Sequence, residues 1–281
     1  AMLTADQQEV DNMIATLDRI GGTAMFNGKS LLDGSLGANG AAVGDNVRFV
    51  GAKTSTEDSP TEGYEVDIVQ VATQAYKRGS VPLTVNNIGD GVTILLSEGG
   101  RNVEIDTRMG KEKENIDEIL ANHKQFPGRF PADQASVDIR GVVMQSINDG
   151  IAESGLALEA FETPEKALYI RHKNFGAEPN FSVTSNIPGL LTNSANVAEL
   201  SEAGLDVAGR IGGTFASGKG QYLTAIEGAS PAKGITIQFD RTIGLKEVPV
   251  KNEKGDVIGT EFLEESQAEI VGSPDNPRIE G

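Results

Sequence analysis

The chain has 281 residues, enough for two or three domains, and combines 38% hydrophobic residues with only 5% aromatics, no Trp and 34 Gly. Its 41 acidic and 24 basic residues give a formal net charge of -17, which argues against nucleic acid and anionic membranes as partners. The absence of cysteine excludes disulfides, thiolate nucleophiles and cysteine-based metal sites, and no apolar run reaches the roughly 18 residues of a membrane-spanning helix.

Residues 4–20 are predicted to form an amphipathic helix, because apolar side chains recur at close to heptad spacing. A T-x-x-Q capping box begins at Thr4, and Gly21-Gly22 ends the helix. The apolar side chains are Leu3, Val10, Met13, Ile14, Leu17 and Ile20. A short helix that is otherwise polar is marginal alone, so we expect these side chains to pack against another subunit or against chain outside this sequence.

The following segments favour turns and a connecting stretch. Asn27-Gly28 and Asp33-Gly34 are strong turn signals between short apolar pieces. The polar residues 53–63 (KTSTEDSPTEG) are predicted to be a linker. We therefore predict three domains, at residues 1–52, 53–192 and 193–281.

Beyond the linker, strand-like runs alternate with two helical patterns. Predicted strands lie at 64–72, 92–96, 103–106, 156–160, 167–172, 181–184, 205–211, 222–226, 235–239 and 257–262. One helix is predicted around 116–120 and a longer one at 132–153, where Val143, Ile147 and Ile151 recur every four residues. The sequence therefore predicts an α+β, multidomain protein, in which a helix and a hairpin precede β-rich domains with a few packed helices.

The segment Met25–Ser35 (MFNGKSLLDGS) resembles the pattern that follows the N-terminal helices of bacterial flagellins, and residues 8–20 resemble the second helix of that family's conserved core. The resemblance covers residues 3–35. It implies that residues 1–52 belong to the core domain and that a stripe of apolar side chains packs between subunits. This packing stripe consists of Val10, Met13, Ile14, Leu17, Ile20, Phe26, Leu31 and Leu32.

The remaining chain resembles the variable, surface-exposed middle region of long flagellins. Ser146–Ala160 looks like an insert motif shared by some flagellins and the filament-capping protein, in which a helix carrying Ile-Asn leads into strands. Leu205–Leu223 is similar to a Gly-rich strand pair of the same two groups.

The resemblance implies a structural subunit of the flagellar filament, located outside the cell, rather than an enzyme. Its expected partners are other flagellin subunits, an export chaperone and the filament cap, with no cofactor, nucleic acid or membrane. The family's long first helix, upstream of Leu3, and its C-terminal helices are not in this sequence. We therefore expect this part of the chain to be monomeric and unable to polymerise.

Three other classes remain open. A filament cap or hook–filament junction protein is the first alternative, because Leu205–Leu223 is similar to a segment of the cap, although Met25–Ser35 argues against a cap. A surface adhesin for glycans or host surfaces is the second, and an exposed aromatic-lined groove would support it. An enzyme is the third.

No motif predicts a catalytic, cofactor or metal site. Gly213–Gly220 (GTFASGKG) nearly matches a phosphate-binding loop but has Gly220 where Ser or Thr holds magnesium, so we interpret it as a flexible connection between two strands. His123 and His172 fit neither H-E-x-x-H nor a Ser-His-Asp triad. Asn86–Gly91 lacks the alternating ligands of a calcium loop and is predicted to be a turn, while paired-carboxylate glycosidase chemistry stays open.

Overall fold

A computed structural model describes residues 39–226, 230–242 and 277–280, positions 7, 10, 12–14, 16 and 20 of the N-terminal helix, and the backbone of four further strands at 25–26, 29–30, 245–251 and 257–264. This part of the chain is α+β and multidomain, with far more strands than helices, which confirms the predicted fold class. Among the described helices, none has the length and apolar character needed to cross a membrane.

The described elements are short, as is usual for β-rich domains. The strands are β1 (Met25–Phe26), β2 (Lys29–Ser30), β3 (Ala41–Val43), β4 (Val47–Gly51), β5 (Tyr64–Gln70), β6 (Gln74–Pro82), β7 (Thr93–Glu98), β8 (Arg101–Asp106), β9 (Leu158–Glu162), β10 (Ala167–Phe175), β11 (Ser182–Ser185), β12 (Glu199–Leu200), β13 (Ala208–Ile211), β14 (Thr214–Lys219), β15 (Tyr222–Ala225), β16 (Thr236–Phe239), β17 (Leu245–Lys251), β18 (Val257–Glu264) and β19 (Arg278–Glu280). The helices that follow the N-terminal one are α1 (Val85–Ile88), α2 (Gly110–Gln125) and α3 (Ala132–Ser154).

One hydrophobic core lies inside an antiparallel eight-stranded sheet with the order β3-β19-β5-β13-β14-β15-β16-β4. Its strands alternate buried and exposed side chains, as in β5, where Tyr64, Val66 and Ile68 point inward. The two edge strands, β3 and β4, are joined by only three residues and contact each other. The sheet therefore curls until its edges meet, and its inner face encloses the core.

The other core is covered by two smaller sheets and by the helices. The sheets have the orders β6-β10-β9 and β12-β11-β7-β8, and α3 packs against β8, β9, α1 and α2. Val143, Ile147 and Ile151 of α3 are all buried in this core, which confirms the helical stripe predicted from their spacing. Gly155 ends α3 in the left-handed conformation, with φ of 65°.

Segments of chain that pass between the two cores are hydrogen-bonded to one another. The Thr73 N–H donates to Leu205 O at 2.9 Å, and the Gly176 N–H donates to Thr73 O at 2.9 Å. β5 and β13 are neighbours in the eight-stranded sheet. In the sequence, residues 74–200 lie between them, and these residues form the three helices and the two smaller sheets. The unit of residues 74–200 is therefore an insertion between two paired strands.

The eight-stranded sheet draws strands from all three predicted domains: β3 and β4 come from 1–52, β5 from 53–192, and β13 to β16 from 193–281. Residues 53–63, predicted to be a linker, contain no helix or strand. They are nevertheless held against the sheet, because the Glu57 N–H donates to Pro231 O at 3.1 Å and the Thr56 hydroxyl donates to Lys233 O at 2.7 Å.

Candidate functional site

The packing stripe predicted for subunit contacts is partly described. Four of its members lie on the N-terminal helix and have exposed fractions near one half: Val10 48%, Met13 56%, Ile14 52% and Ile20 47%. β1 and β2 pair across Asn27-Gly28, as expected for a two-residue hairpin turn, and Phe26 lies in β1. Leu17, Leu31 and Leu32 lie outside the described residues, as does the side chain of Phe26. The stripe therefore stays a prediction, with four side chains positioned to take part in it.

The near-match to a phosphate-binding loop is a strand with structural glycines, so its interpretation as a flexible connection was wrong. Residues 214–219 form β14, paired on both sides. The Gly220 N–H donates to Asp206 Oδ1 at 2.6 Å, so this amide is already bound to an anion within the chain. A phosphate loop needs such amides directed at the ligand, and the Asp206 carboxylate would repel it.

Both histidines make hydrogen-bonding contacts within the fold. His172 is 3% exposed, with Nε2 3.2 Å from Glu98 Oε1 and with Nδ1 accepting the Asn174 N–H at 2.9 Å. Since Nδ1 accepts a hydrogen bond, the proton lies on Nε2 and is directed at Glu98. His123 Nδ1 lies 2.7 Å from Phe130 O, at the corner between α2 and α3.

Ion pairs lower the pKa values of two carboxylates, those of Asp106 and Glu199. Two hydrogen bonds from the Arg108 guanidinium to Asp106, near 3 Å, are the largest cause that lowers the pKa of Asp106 to about 2. The Lys77 ammonium, 2.7 Å from Glu199, is the largest cause that lowers the pKa of Glu199. Lys77 belongs to the three-stranded sheet and Glu199 to the four-stranded sheet, so this pair joins two sheets.

One cleft opens beside the curled sheet, next to Tyr64 and the 56–59 segment. Its volume is ≈ 90 Å³, whereas sites for small molecules usually measure about 300 Å³ or more. The Tyr64 hydroxyl lies 3.1 Å from Asp58 O and 3.2 Å from Glu57 O, and burial is the largest cause that raises its pKa. The cleft is thus better explained as a loop packed on a sheet than as a ligand site. Among the described residues, no group of three or more acidic or histidine side chains could hold a metal.

An aromatic cluster lies on the outer face of the three-stranded sheet. Tyr76 and Tyr169 are stacked with ring centroids 5.4 Å apart, and Tyr169 stacks on Phe161 at 4.8 Å. The Arg171 guanidinium lies over the Phe161 ring, 4.9 Å from its centroid, and also pairs with Glu159. Because the rings cover one another's faces, little ring face is left on which a sugar could stack. This arrangement counts against a glycan-binding groove at this cluster.

A second exposed surface, which we call the neutral face, lies on the outside of the eight-stranded sheet. Its members are the outward side chains of β14, β15, β16 and β4 together with the residue after β15: Phe215, Ser217, Tyr222, Thr224, Ile226, Thr236, Gln238 and Val50. The sequence motifs did not predict this face. The available signal was the stretch 207–226, which contains no Asp or Glu in a chain that carries 41 of them.

Comparison with known proteins gives similarities of fold. No protein-family model matches the sequence, and no curated protein matches it. The chain is similar to the D1–D2–D3 domains of the flagellar cap protein FliD from Escherichia coli, with 9% identity and a TM-score of 0.41 over 86% of this chain. It spans about half of that structure's length, 55%.

Two further solved structures show the same kind of likeness. The D2–D3 domains of the cap protein FliD from Serratia marcescens match at 11% identity and a TM-score of 0.39, over 78% of this chain and 100% of theirs. FliD (HAP2) from Pseudomonas aeruginosa matches at 11% identity and a TM-score of 0.37, over 82% of this chain and 86% of its own. All three of these neighbours are flagellar cap proteins.

Proposed function

We propose that this chain is part of a structural protein of the bacterial flagellum, located outside the cell, and that it is a flagellin. The observation that carries the proposal is the N-terminal segment, where an amphipathic helix is followed by the sequence MFNGKSLLDGS and β1 and β2 pair across Asn27-Gly28. This succession of helix and hairpin is the one implied by the resemblance to the flagellin core.

In this proposal the helix makes the contact between subunits, and the two cores form the exterior. Val10, Met13 and Ile14 are about half exposed, so burying each of them against a neighbouring subunit would contribute about 1 kcal/mol. The absence of cysteine suits a chain that is exported unfolded, because no disulfide can form to resist unfolding. The acidic balance favours colloidal solubility of the exterior.

The filament cap is the second candidate. The observation that favours it is the Gly-rich segment Leu205–Leu223, similar to a cap segment, which forms β13, β14 and part of β15 as paired strands. The cap is also the protein named by the solved structures described above. A hook–filament junction protein belongs to the same class.

Immunogold electron microscopy of the bacterium that encodes the chain separates these assignments. A flagellin gives label along the whole filament, a cap gives label only at the distal tip, and a junction protein gives label at one point near the base. Label confined to the cell interior would contradict all three and would leave the flagellar assignment without support.

The packing stripe can be tested in the same cells. We expect Val10→Asp combined with Ile14→Asp to abolish incorporation into the flagellum, since two charges would have to be buried without partners. Leu200→Asp is the matched control, because Leu200 is 70% exposed in β12 and is not a member of the packing stripe, and we expect it to incorporate normally. Filament yield after shearing is the measurement, and equal yields for both variants would show that the stripe is not a subunit contact.

A further inference from the structure

A lysine, a glutamate and an asparagine meet where the three-stranded sheet is joined to the four-stranded sheet. The Lys77 Nζ donates to Glu199 Oε2 at 2.7 Å, and the Asn193 Nδ2 donates to the same oxygen at 3.3 Å. Two donors that share one oxygen at these distances, along its lone-pair directions, lie about 5 Å apart. The amine of Lys77 is therefore beside the side-chain amide of Asn193, and one carboxylate oxygen bridges them.

Each member of this cluster is fixed by the part of the fold that carries it. Lys77 lies in β6 opposite Ile170 of β10, which is fully buried, and Glu199 lies in β12, which pairs with β11. The Asn193 N–H donates to Glu199 Oε1 at 2.6 Å, and the preceding residue, Thr192, is 1% exposed. The backbone thus brings the three groups together.

Burial differs across the cluster in the way that amide formation requires. The Lys77 side chain is 14% exposed and that of Glu199 is 19% exposed, whereas Asn193 is exposed. Removal from water costs the ammonium and the carboxylate part of their solvation, which favours movement of a proton from Nζ to Oε2 and leaves a neutral amine. The exposed amide gives a leaving group a direct path into solvent.

The ion pair is nevertheless the resting state of the cluster. The hydrogen bond from Lys77 is the largest cause that lowers the pKa of Glu199, so the carboxylate is the prevailing form at neutral pH. The neutral amine is a minor form. A reaction of this amine is therefore slow, and freshly folded chain carries the ion pair.

We propose that Lys77 and Asn193 become joined by an intramolecular isopeptide bond after the chain has folded. The neutral Nζ attacks the Asn193 Cγ, a new C–N bond forms, and the Cγ–Nδ2 bond breaks. The two protons that the lysine ammonium gives up pass through Glu199 Oε2 to Nδ2, which leaves as ammonium. The products are one secondary amide, one ammonium ion and the Glu199 carboxylate, so no oxidant, metal or further reactant is consumed.

The bond would link the two smaller sheets across a long stretch of sequence. Lys77 belongs to β6, and Asn193 lies in the connection between β11 and β12. Lys77 and Glu199 are 122 residues apart in the sequence. Closing a loop of this length restricts the unfolded chain, so we expect the cross-linked form to unfold at a temperature about 10 °C above that of the linear form. The inference goes beyond the proposed function and does not depend on it.

Intact-mass spectrometry of the purified chain tests the bond. The chain is kept warm at pH 7 for several days, and samples are denatured before measurement. We expect a growing species that is lighter than the sequence mass by one ammonia molecule. In a protease digest of this species, Lys77 and Asn193 should occur in one branched peptide. An unchanged mass throughout the incubation would overturn the proposal.

Lys77→Arg is the matched control, because it keeps a positive charge beside Glu199 and removes the nucleophilic amine. It should lose no ammonia, and neither should Asn193→Ser, whose exposed position tolerates substitution. An asparagine can also lose ammonia by cyclising onto its own backbone. Loss that persists in Lys77→Arg would assign the mass change to that cyclisation and would overturn the proposal.

Glu199→Gln tests the proton transfer separately. We expect it to slow formation of the bond about a hundredfold or more, with circular dichroism showing that the variant is folded. An undiminished rate would show that Glu199 carries no proton in the reaction and would contradict the mechanism proposed here. All of these results are read from purified chain, so they are independent of the immunogold result.

Discussion

At the scale of single residues, Glu98 connects separate parts of the unit that contains the helices and the two smaller sheets. One carboxylate oxygen lies 3.2 Å from Nε2 of the buried His172, and the other accepts the Ala157 N–H at 2.9 Å. Glu98→Ala leaves both donors without this acceptor, so we expect the free energy of unfolding at pH 7 to fall by about 1–3 kcal/mol. Glu104→Ala, an exposed carboxylate on the adjacent β8, should change it by less than about 0.5 kcal/mol. Equal losses in urea unfolding would contradict this role for Glu98.

A second residue-scale prediction concerns acid stability. The folded-state pKa of Asp106, about 2, is below its ordinary value, so folding favours the carboxylate. The resulting stabilisation is fully present above about pH 4 and is lost as the pH falls through about 2. Arg108→Ala should raise the pKa of Asp106 and make the protein less stable than the parent at pH 7, with the difference much smaller near pH 2. Urea unfolding at both pH values and NMR titration of Asp106 measure this, with Lys111→Ala as the control; a constant difference between the two pH values would be evidence against it.

At the scale of elements, close approach of the backbone explains Gly218, which lies in the near-match to a phosphate-binding loop. A Cβ atom on Gly218 would lie 1.7 Å from Val207 O, whereas a Cβ on Gly51, in β4 of the same sheet, would meet nothing within 4 Å. We expect Gly218→Ala to cost about 3 kcal/mol or more, because β14 must shift, and Gly51→Ala to be neutral or slightly stabilising. Thermal unfolding of the two variants compares them. A tolerated alanine at 218 would mean that β14 does not pass this close to Val207.

Local elements were the part of the fold that could be predicted. The spacing of Val143, Ile147 and Ile151 indicated α3, and alternation indicated β5, because both signals come from neighbouring residues. β6 was missed since Lys77 and Arg78 interrupt the apolar pattern, and Lys77 is half-buried only because Glu199, far along the chain, pairs with it. Pairings between distant strands have no local signal, so neither the sheet order nor the neutral face could be predicted. The packing stripe rests on local spacing alone and stays a prediction.

At the scale of the whole molecule, the net charge of -17 opposes the compact state. Raising NaCl from about 10 mM to about 500 mM shortens the Debye length from about 30 Å to a few ångströms, which screens repulsion between exposed carboxylates. We expect the unfolding temperature to rise by about 2–4 °C. Calorimetry at pH 7 is the measurement. Sucrose of equal osmolality is the control, because it is excluded from the protein surface but does not screen charge. A fall in the unfolding temperature would show that ion pairs such as Lys77–Glu199 outweigh the repulsion.

β3 and β19 are neighbours, with Ala41 opposite Glu280, although almost the whole described chain lies between them. The chain therefore forms both cores between two segments that lie side by side in the sheet. Any stretch that leaves and returns at the same point can be lengthened, shortened or exchanged without altering the spacing of the segments on either side. The unit of residues 74–200, which contains the helices, repeats this design on a smaller scale between β5 and β13. We therefore expect a foreign domain inserted between β3 and β19, or between β5 and β13, to leave these strands in register. The chain is thus suited to the display of inserted sequences.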